Sequence, residues 1–228
     1  MPTRSALGRA LGACIVSAAL FPTVARAQTQ PGPPGPYVID LQGAMAGMPS
    51  AGEFYPALPV NANVPGRGFG GALGAHVLVR GLGAARVGLG VSAATARGAI
   101  GPPDVTARLT TVAPQISLNF GTADGWSYVS AGYGLASVST RVSPTSPSAS
   151  DTASANETEG EVSATPPIEP VTETGRVRAL NYGGGARWFV NKHLATSFDV
   201  RFHRIAASRE AATPGFTSFV LSVGVSVR

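Results

Sequence analysis

The sequence predicts an all-β protein, an eight-stranded antiparallel up-and-down transmembrane β-barrel with long extracellular loops and short periplasmic turns. Three observations predict it. Large apolar residues alternate with small or polar ones through most of the chain, the period that gives a strand one oily and one wet face. The connections between these runs alternate in length. A secretory leader precedes them, and the chain after it has no cysteine.

The leader is residues 1–27. Arg4 and Arg9 make a basic start, residues 11–20 a short apolar core, and Ala25-Arg26-Ala27 a small-x-small cleavage site before Gln28. The apolar run is too short to span a membrane. Cys14, the sole cysteine, lies inside it, so the mature chain has no disulfide and no thiolate metal site. The 17 basic and 12 acidic residues of the whole chain fall to 14 and 12 once Arg4, Arg9 and Arg26 leave with the leader. The bases are scattered singly, which argues against nucleic acid.

Residues 28–36 are a Pro-rich lead-in. Strands are expected at 37–47, 69–80, 86–97, 107–121, 126–141, 176–190, 193–207 and 216–228, so that 37–228 forms the barrel. The turns 81–85, 122–125 and 191–192 are short and rich in Gly, Asn and Asp. The connections 48–68, 98–106, 142–175 and 208–215 read as long. Long and short alternate, as they do between the two sides of an outer-membrane barrel, and an even strand count puts both ends in the periplasm. Residues 143–174 hold six acids, no base and much Ser, Thr and Pro, which predicts a disordered extracellular loop.

Parity assigns the faces. Ile39 and Leu41, Leu73 to Val79 on odd numbers, Val87 to Val91, and Ile116 to Phe120 on even numbers face out. Phe198, Val200 and Phe202 share one face of their run, as do Phe219 to Val227 in the last. The strand 126–141 leaves two facings open: Trp126 and Tyr128 suit an interface, but Val129, Ala131, Tyr133 and Leu135 form the oilier set. Phe120, Trp126, Tyr128 and Trp188 cluster near the short turns, where a periplasmic aromatic girdle would sit; core packing is the alternative.

The run RGFGGALGAHV (67–77), the stretch VAPQISLNFGTADGWSYVSAGYG (112–134), NYGGGARWFV (181–190) and DVRFHRI (199–205) together resemble the small eight-stranded bacterial outer-membrane β-barrels of the OmpA/OmpX-like, porin-type family. The resemblance implies the bacterial cell outer membrane as location, lipid and lipopolysaccharide as surroundings, insertion by the barrel-assembly machinery, and a monomer. The chain departs from the pattern in ending on Val227-Arg228 rather than on an aromatic residue.

Little in the chain promises chemistry. His76, His193 and His203 lie on three different strands, short of a zinc ligand set. No Gly-x-Ser-x-Gly elbow is present, and His203 with Asp199 lacks a partner Ser. No cofactor is expected. The candidate site is a lumen set of Asp40, Gln42, His76, Gln115, Asn119, Asn181, Arg187, Asp199, Arg201 and His203. Eight strands enclose a space that side chains just fill, which favours Arg187 and Arg201 paired with Asp40 and Asp199 as a polar plug; a narrow solute path is the other reading. Arg108, Arg176, Arg178 and Arg204 are candidate contacts to lipopolysaccharide phosphates, with solvated rim charge as the alternative. Loops 48–68 and 142–175 are the candidate surface-ligand elements, with Phe54, Tyr55 and Leu58 expected to be exposed. The expected function is non-enzymatic, structural or surface-interacting; the alternatives are a narrow pore and a lipid-modifying enzyme.

Overall fold

The structure, a computed structural model, describes residues 35–56, 58, 62–82, 85–101, 104–143 and 171–228. The leader, most of the Pro-rich lead-in and residues 144–170 lie outside the described residues. The barrel strands are β1 (Tyr37–Gly47), β2 (Arg67–Leu82), β3 (Ala85–Ile100), β4 (Asp104–Thr122), β5 (Gly125–Ser143), β7 (Val177–Phe189), β8 (Leu194–Ile205) and β9 (Phe216–Val227). A three-residue strand, β6 (Val171–Glu173), lies between β5 and β7 in sequence.

Each barrel strand pairs antiparallel with its neighbours in sequence, and β1 pairs with β9 through Ile39↔Val227 to Ala46↔Val220. The ring is therefore closed and up-and-down, and no barrel strand is left as an open edge. Closure pairs the backbone groups around the ring, the condition a sheet must meet to sit in hydrocarbon. Pro114 has no N–H to give, and the β4–β5 ladder skips it and Ala113 before resuming at Gln115↔Gly132.

Ile39, Leu73, Val77, Ile116, Val129, Val223 and Val225 are exposed on the outside of the ring. On β4 the outward apolar run reaches from Val112 to Phe120. At about 3.3 Å per residue and a tilt of about 40°, that run rises about 20 Å, most of the roughly 25 Å height of a barrel's apolar band.

The inside has two halves. Near the start of β1, the end of β9 and the turns 123–124 and 190–193 it is polar, lined by Asp40, Gln42, Ser117, Asn119, Ser197, Asp199 and Ser226. Toward the other end it is apolar, lined by Ala44, Ala46, Ala96, Val105, Ala107, Leu109, Ala136, Val138 and Val220. Five alanines among these leave space that the strands themselves do not fill. The 3-10 turn Gly52–Phe54 folds into it and places Met48, Phe54 and Tyr55 there.

Three expectations are corrected here. Phe54 and Tyr55 are not exposed loop residues but 1% and 2% exposed. Leu58 packs against the same cluster, because an alanine-lined mouth offers apolar residues a better place than water. The connection expected at 98–106 shrinks to 101–103, because Ala99, Ile100, Val105 and Thr106 continue the strand period and Ile100 pairs with Val105; the alternation of loop lengths is thus broken once. The loop expected to run to 174 is ordered at its end: β6 pairs with β5 at Ser139–Arg141, and buried Thr174 receives the Val138 N–H through Oγ1.

Candidate functional site

The polar half of the lumen is built from strands remote in sequence whose parity turns one residue in two inward. β1 supplies Asp40 and Gln42, β8 Ser197, Asp199, Arg201 and His203, and β7 Asn181 and Arg187; all are buried. Arg187 donates to Asp40 twice, Nε to Oδ1 at 2.8 Å and Nη2 to Oδ2 at 2.6 Å. Ser226 donates a further bond to the same carboxylate. Arg201 donates to Asp199 through Nε at 3.1 Å and Nη2 at 2.9 Å, and through Nη1 to Ser130 at 3.1 Å. Two-pronged pairs of this kind fix orientation as well as charge.

A second layer consists of amides. Gln42 donates to Ser197 at 3.0 Å. Gln115 donates to Asn181 at 3.1 Å and to Ser92, while its Oε1 lies 3.3 Å from His76 Nε2. Asn119 donates to Ser117 and to the Arg86 carbonyl. All ten residues of the lumen set face inward, and this network joins nine of them in small groups.

Trp126 and Tyr128 are a correction. Val129, Ala131, Tyr133 and Leu135 take the outward face of β5, so parity turns Trp126 and Tyr128 inward, where they are 2% and 4% exposed. Tyr128 donates its hydroxyl to Asp199, and the Arg187 guanidinium lies 4.0 Å over its ring. Gly185 makes this possible: a Cβ there would come within 2.8 Å of the Tyr128 hydroxyl. Of the expected girdle, Phe120 and Trp188 face outward, Trp188 with 58% of its surface exposed. Trp126 instead stacks on Phe189 at 4.9 Å to form the floor of the lumen. Arg228 lies 3.8 Å over Phe189 and donates to the carbonyls of Ala123 and Lys192, tying two turns across that floor.

The outer rim carries Arg108, Arg176, Arg178 and Arg204, all exposed. Arg178 and Arg204 line one outward groove with Tyr133 and Leu180. Sequence reasoning missed Arg97. It stands directly opposite Arg108 on the outward face of β3 and β4, just beyond the apolar run. The parity of the two runs, once aligned by register, would have found it. Among the described residues no Ser or Thr hydroxyl is hydrogen-bonded to a histidine, and no three His, Cys, Asp or Glu are placed to hold a metal ion.

This is the fold of a small eight-stranded outer-membrane β-barrel. It is similar to the crystal structure of Neisserial surface protein A (NspA), with a TM-score of 0.53, 13% identity, and coverage of 85% of this chain and 97% of that one. Looser likenesses are Ail of Yersinia pestis (TM-score 0.49, 9% identity, 84% of this chain and 96% of that one) and the N-terminal β-barrel domain of Pseudomonas aeruginosa OprF (0.38, 14%, 84% and 96%). At these identities the likeness is one of fold. No family model matches the chain, and no curated protein matches it.

Proposed function

We propose that the chain is a non-enzymatic protein of the bacterial outer membrane, with a structural or surface-interaction role and a lumen that does not conduct. The observation that carries this reading is the inversion of the molecule: its outside is apolar, and its inside is occupied by side chains at the floor, the middle and the mouth. The Trp126–Phe189 stack closes one end, the Arg187–Asp40 pair crosses the middle with the Asp199–Arg201 pair of β8 beside it, and Phe54 and Tyr55 close the other. That filling favours a plug over the narrow pore. The absence of a hydroxyl–histidine pair among the described residues favours it over a lipid-modifying enzyme.

In this reading the leader is removed before Gln28, assembly machinery inserts the chain as a monomer, and both ends face the periplasm. The rim arginines meet outer-leaflet lipid. Like charges directly opposite on neighbouring strands repel, and Arg97 and Arg108 are relieved if a lipopolysaccharide phosphate bridges them. Arg176, Arg178 and Arg204 extend the same belt, since guanidinium groups grip phosphate in two-pronged fashion. Residues 142–175 remain the candidate surface-ligand loop; loop 48–68 loses Phe54 and Tyr55 from that role.

The mature chain has no cysteine, so single-cysteine variants test the topology cleanly. A membrane-impermeant maleimide added to intact cells should label Glu210→Cys in the connection 206–215 and spare Lys192→Cys in the turn 190–193. Labelling of Lys192→Cys alone, or recovery of the protein as a soluble periplasmic species, overturns the reading. Planar bilayers should show no stable channel. Arg97→Gln with Arg108→Gln should weaken retention of phosphorylated, but not dephosphorylated, lipopolysaccharide.

A further inference from the structure

One buried group is left out of the lumen network. His203, on the inward face of β8, is 2% exposed, and neither of its ring nitrogens has a hydrogen-bond partner within the protein. His76 on β2 is 5% exposed, and its Nδ1 is also unpartnered. Both line one cavity of about 30 Å³, walled further by Asp40, Tyr128, Asp199 and Arg201.

The donors and acceptors around the cavity define what it takes. Gln115 gives both of its donor bonds to Ser92 and Asn181, so its Oε1 accepts from His76. That places the His76 proton on Nε2 and leaves Nδ1 as a bare acceptor. A neutral His203 has one donor and one acceptor, both unmet. The Asp40 and Asp199 carboxylates on the wall already accept from Arg187 and Arg201, and the Arg201 guanidinium donates to Asp199 and Ser130. The guest must therefore donate to His76 and both donate to and accept from His203. An anion only accepts. A metal ion serves lone pairs alone and finds no set of three ligands here. An apolar guest leaves three buried nitrogens bare, each bearing its full desolvation penalty. Water meets all three needs. One water needs about 10–15 Å³ of such space, so there is room for about two.

We propose that the barrel encloses a hydration site for about two water molecules, held by His203 and His76 between the two lumen ion pairs. The Phe54–Tyr55 plug lies on its outer side and the Arg187–Asp40 pair with the aromatic floor on its inner side. The site stands apart from the rim arginines and does not depend on their role.

The test uses the whole mature chain folded in lipid nanodiscs, with nuclear magnetic resonance magnetisation transfer from resident water to the ring protons of both histidines. Transfer is expected at both rings in the native protein. In His203→Phe it should be lost or sharply reduced at His76, with a thermal midpoint no lower than that of the native protein. His203→Gln retains a donor and an acceptor and should preserve the transfer at His76; it also serves if the Phe variant does not fold. The proposal is overturned if the folded native protein shows no resident-water transfer at either ring. It is equally overturned if zinc or chloride shifts the His203 signals, which would make the cavity an ion site, or if His203→Phe leaves the His76 transfer unchanged.

Discussion

Arg187 and Asp40 are 147 residues apart in the chain and meet in a two-pronged ion pair at 2.8 and 2.6 Å. The contact joins β7 to β1 across the lumen, and both side chains are almost wholly removed from solvent. A pair so placed makes each partner costly to lose alone.

Arg187→Met should therefore destabilise the barrel by about 3–5 kcal/mol, because it leaves Asp40 buried without its counter-ion. Asp40→Leu should cost a similar amount. The double variant should cost clearly less than the two together, since no orphan charge remains. Urea unfolding in lipid vesicles, run as a double-mutant cycle, measures the coupling.

Tyr128→Phe should cost about 1.5–3 kcal/mol, the range for a hydrogen bond to a charged partner. The ring stays under Arg187, so the loss reports the bond to Asp199 alone. Tyr133→Phe, on the outward face of the same strand, should cost much less. Equal losses in the same unfolding assay would mean that Tyr128 does not serve Asp199.

Phe54→Ala should cost about 3–5 kcal/mol, the range for deleting a buried aromatic ring. Its contact with Phe216, 5.4 Å between ring centroids, is lost with it. Conductance in planar bilayers should nonetheless stay at baseline, because the ion pairs below the plug still fill the lumen. A channel opened by this change alone would show that the plug is the only seal.

Burial pushes the Tyr55 hydroxyl from its ordinary 10.0 up to about 12. The folded value lies above the unfolded one, so the stability it contributes is full below pH 10 and is lost as pH rises through 12. The mouth should hold through neutral and mildly alkaline pH and loosen between these values. Ultraviolet difference titration of the native protein against Tyr55→Phe should isolate one tyrosine ionising in that window, with the alkaline loss of stability reduced in the variant.

The faces of β1 to β4, β8 and β9 were legible because a strand's period of two needs no partner to be read. Ile116 and Gln115 sort themselves by polarity alone. β5 was not legible at its start, because Trp126 and Tyr128 are amphipathic and suit either side. Only the register with β7, which brings Asp199, Arg187 and Gly185 around Tyr128, turns them inward. Arg97 was passed over for a similar reason: its meaning comes from Arg108 opposite, and that pairing is a matter of register.

The sequence by itself determined the number of barrel strands, which residues of most strands face out, and the ten polar residues of the lumen, because alternation and turn chemistry act over a few neighbours. Tertiary structure alone decided how the interior is filled. That Arg187 meets Asp40, that a loop's Phe54 packs on Phe216 in an alanine-lined mouth, and that His203 shares a cavity with His76 all depend on residues more than a hundred positions apart being brought to one height in the ring. Closing the sheet sets that height, and no local pattern encodes it.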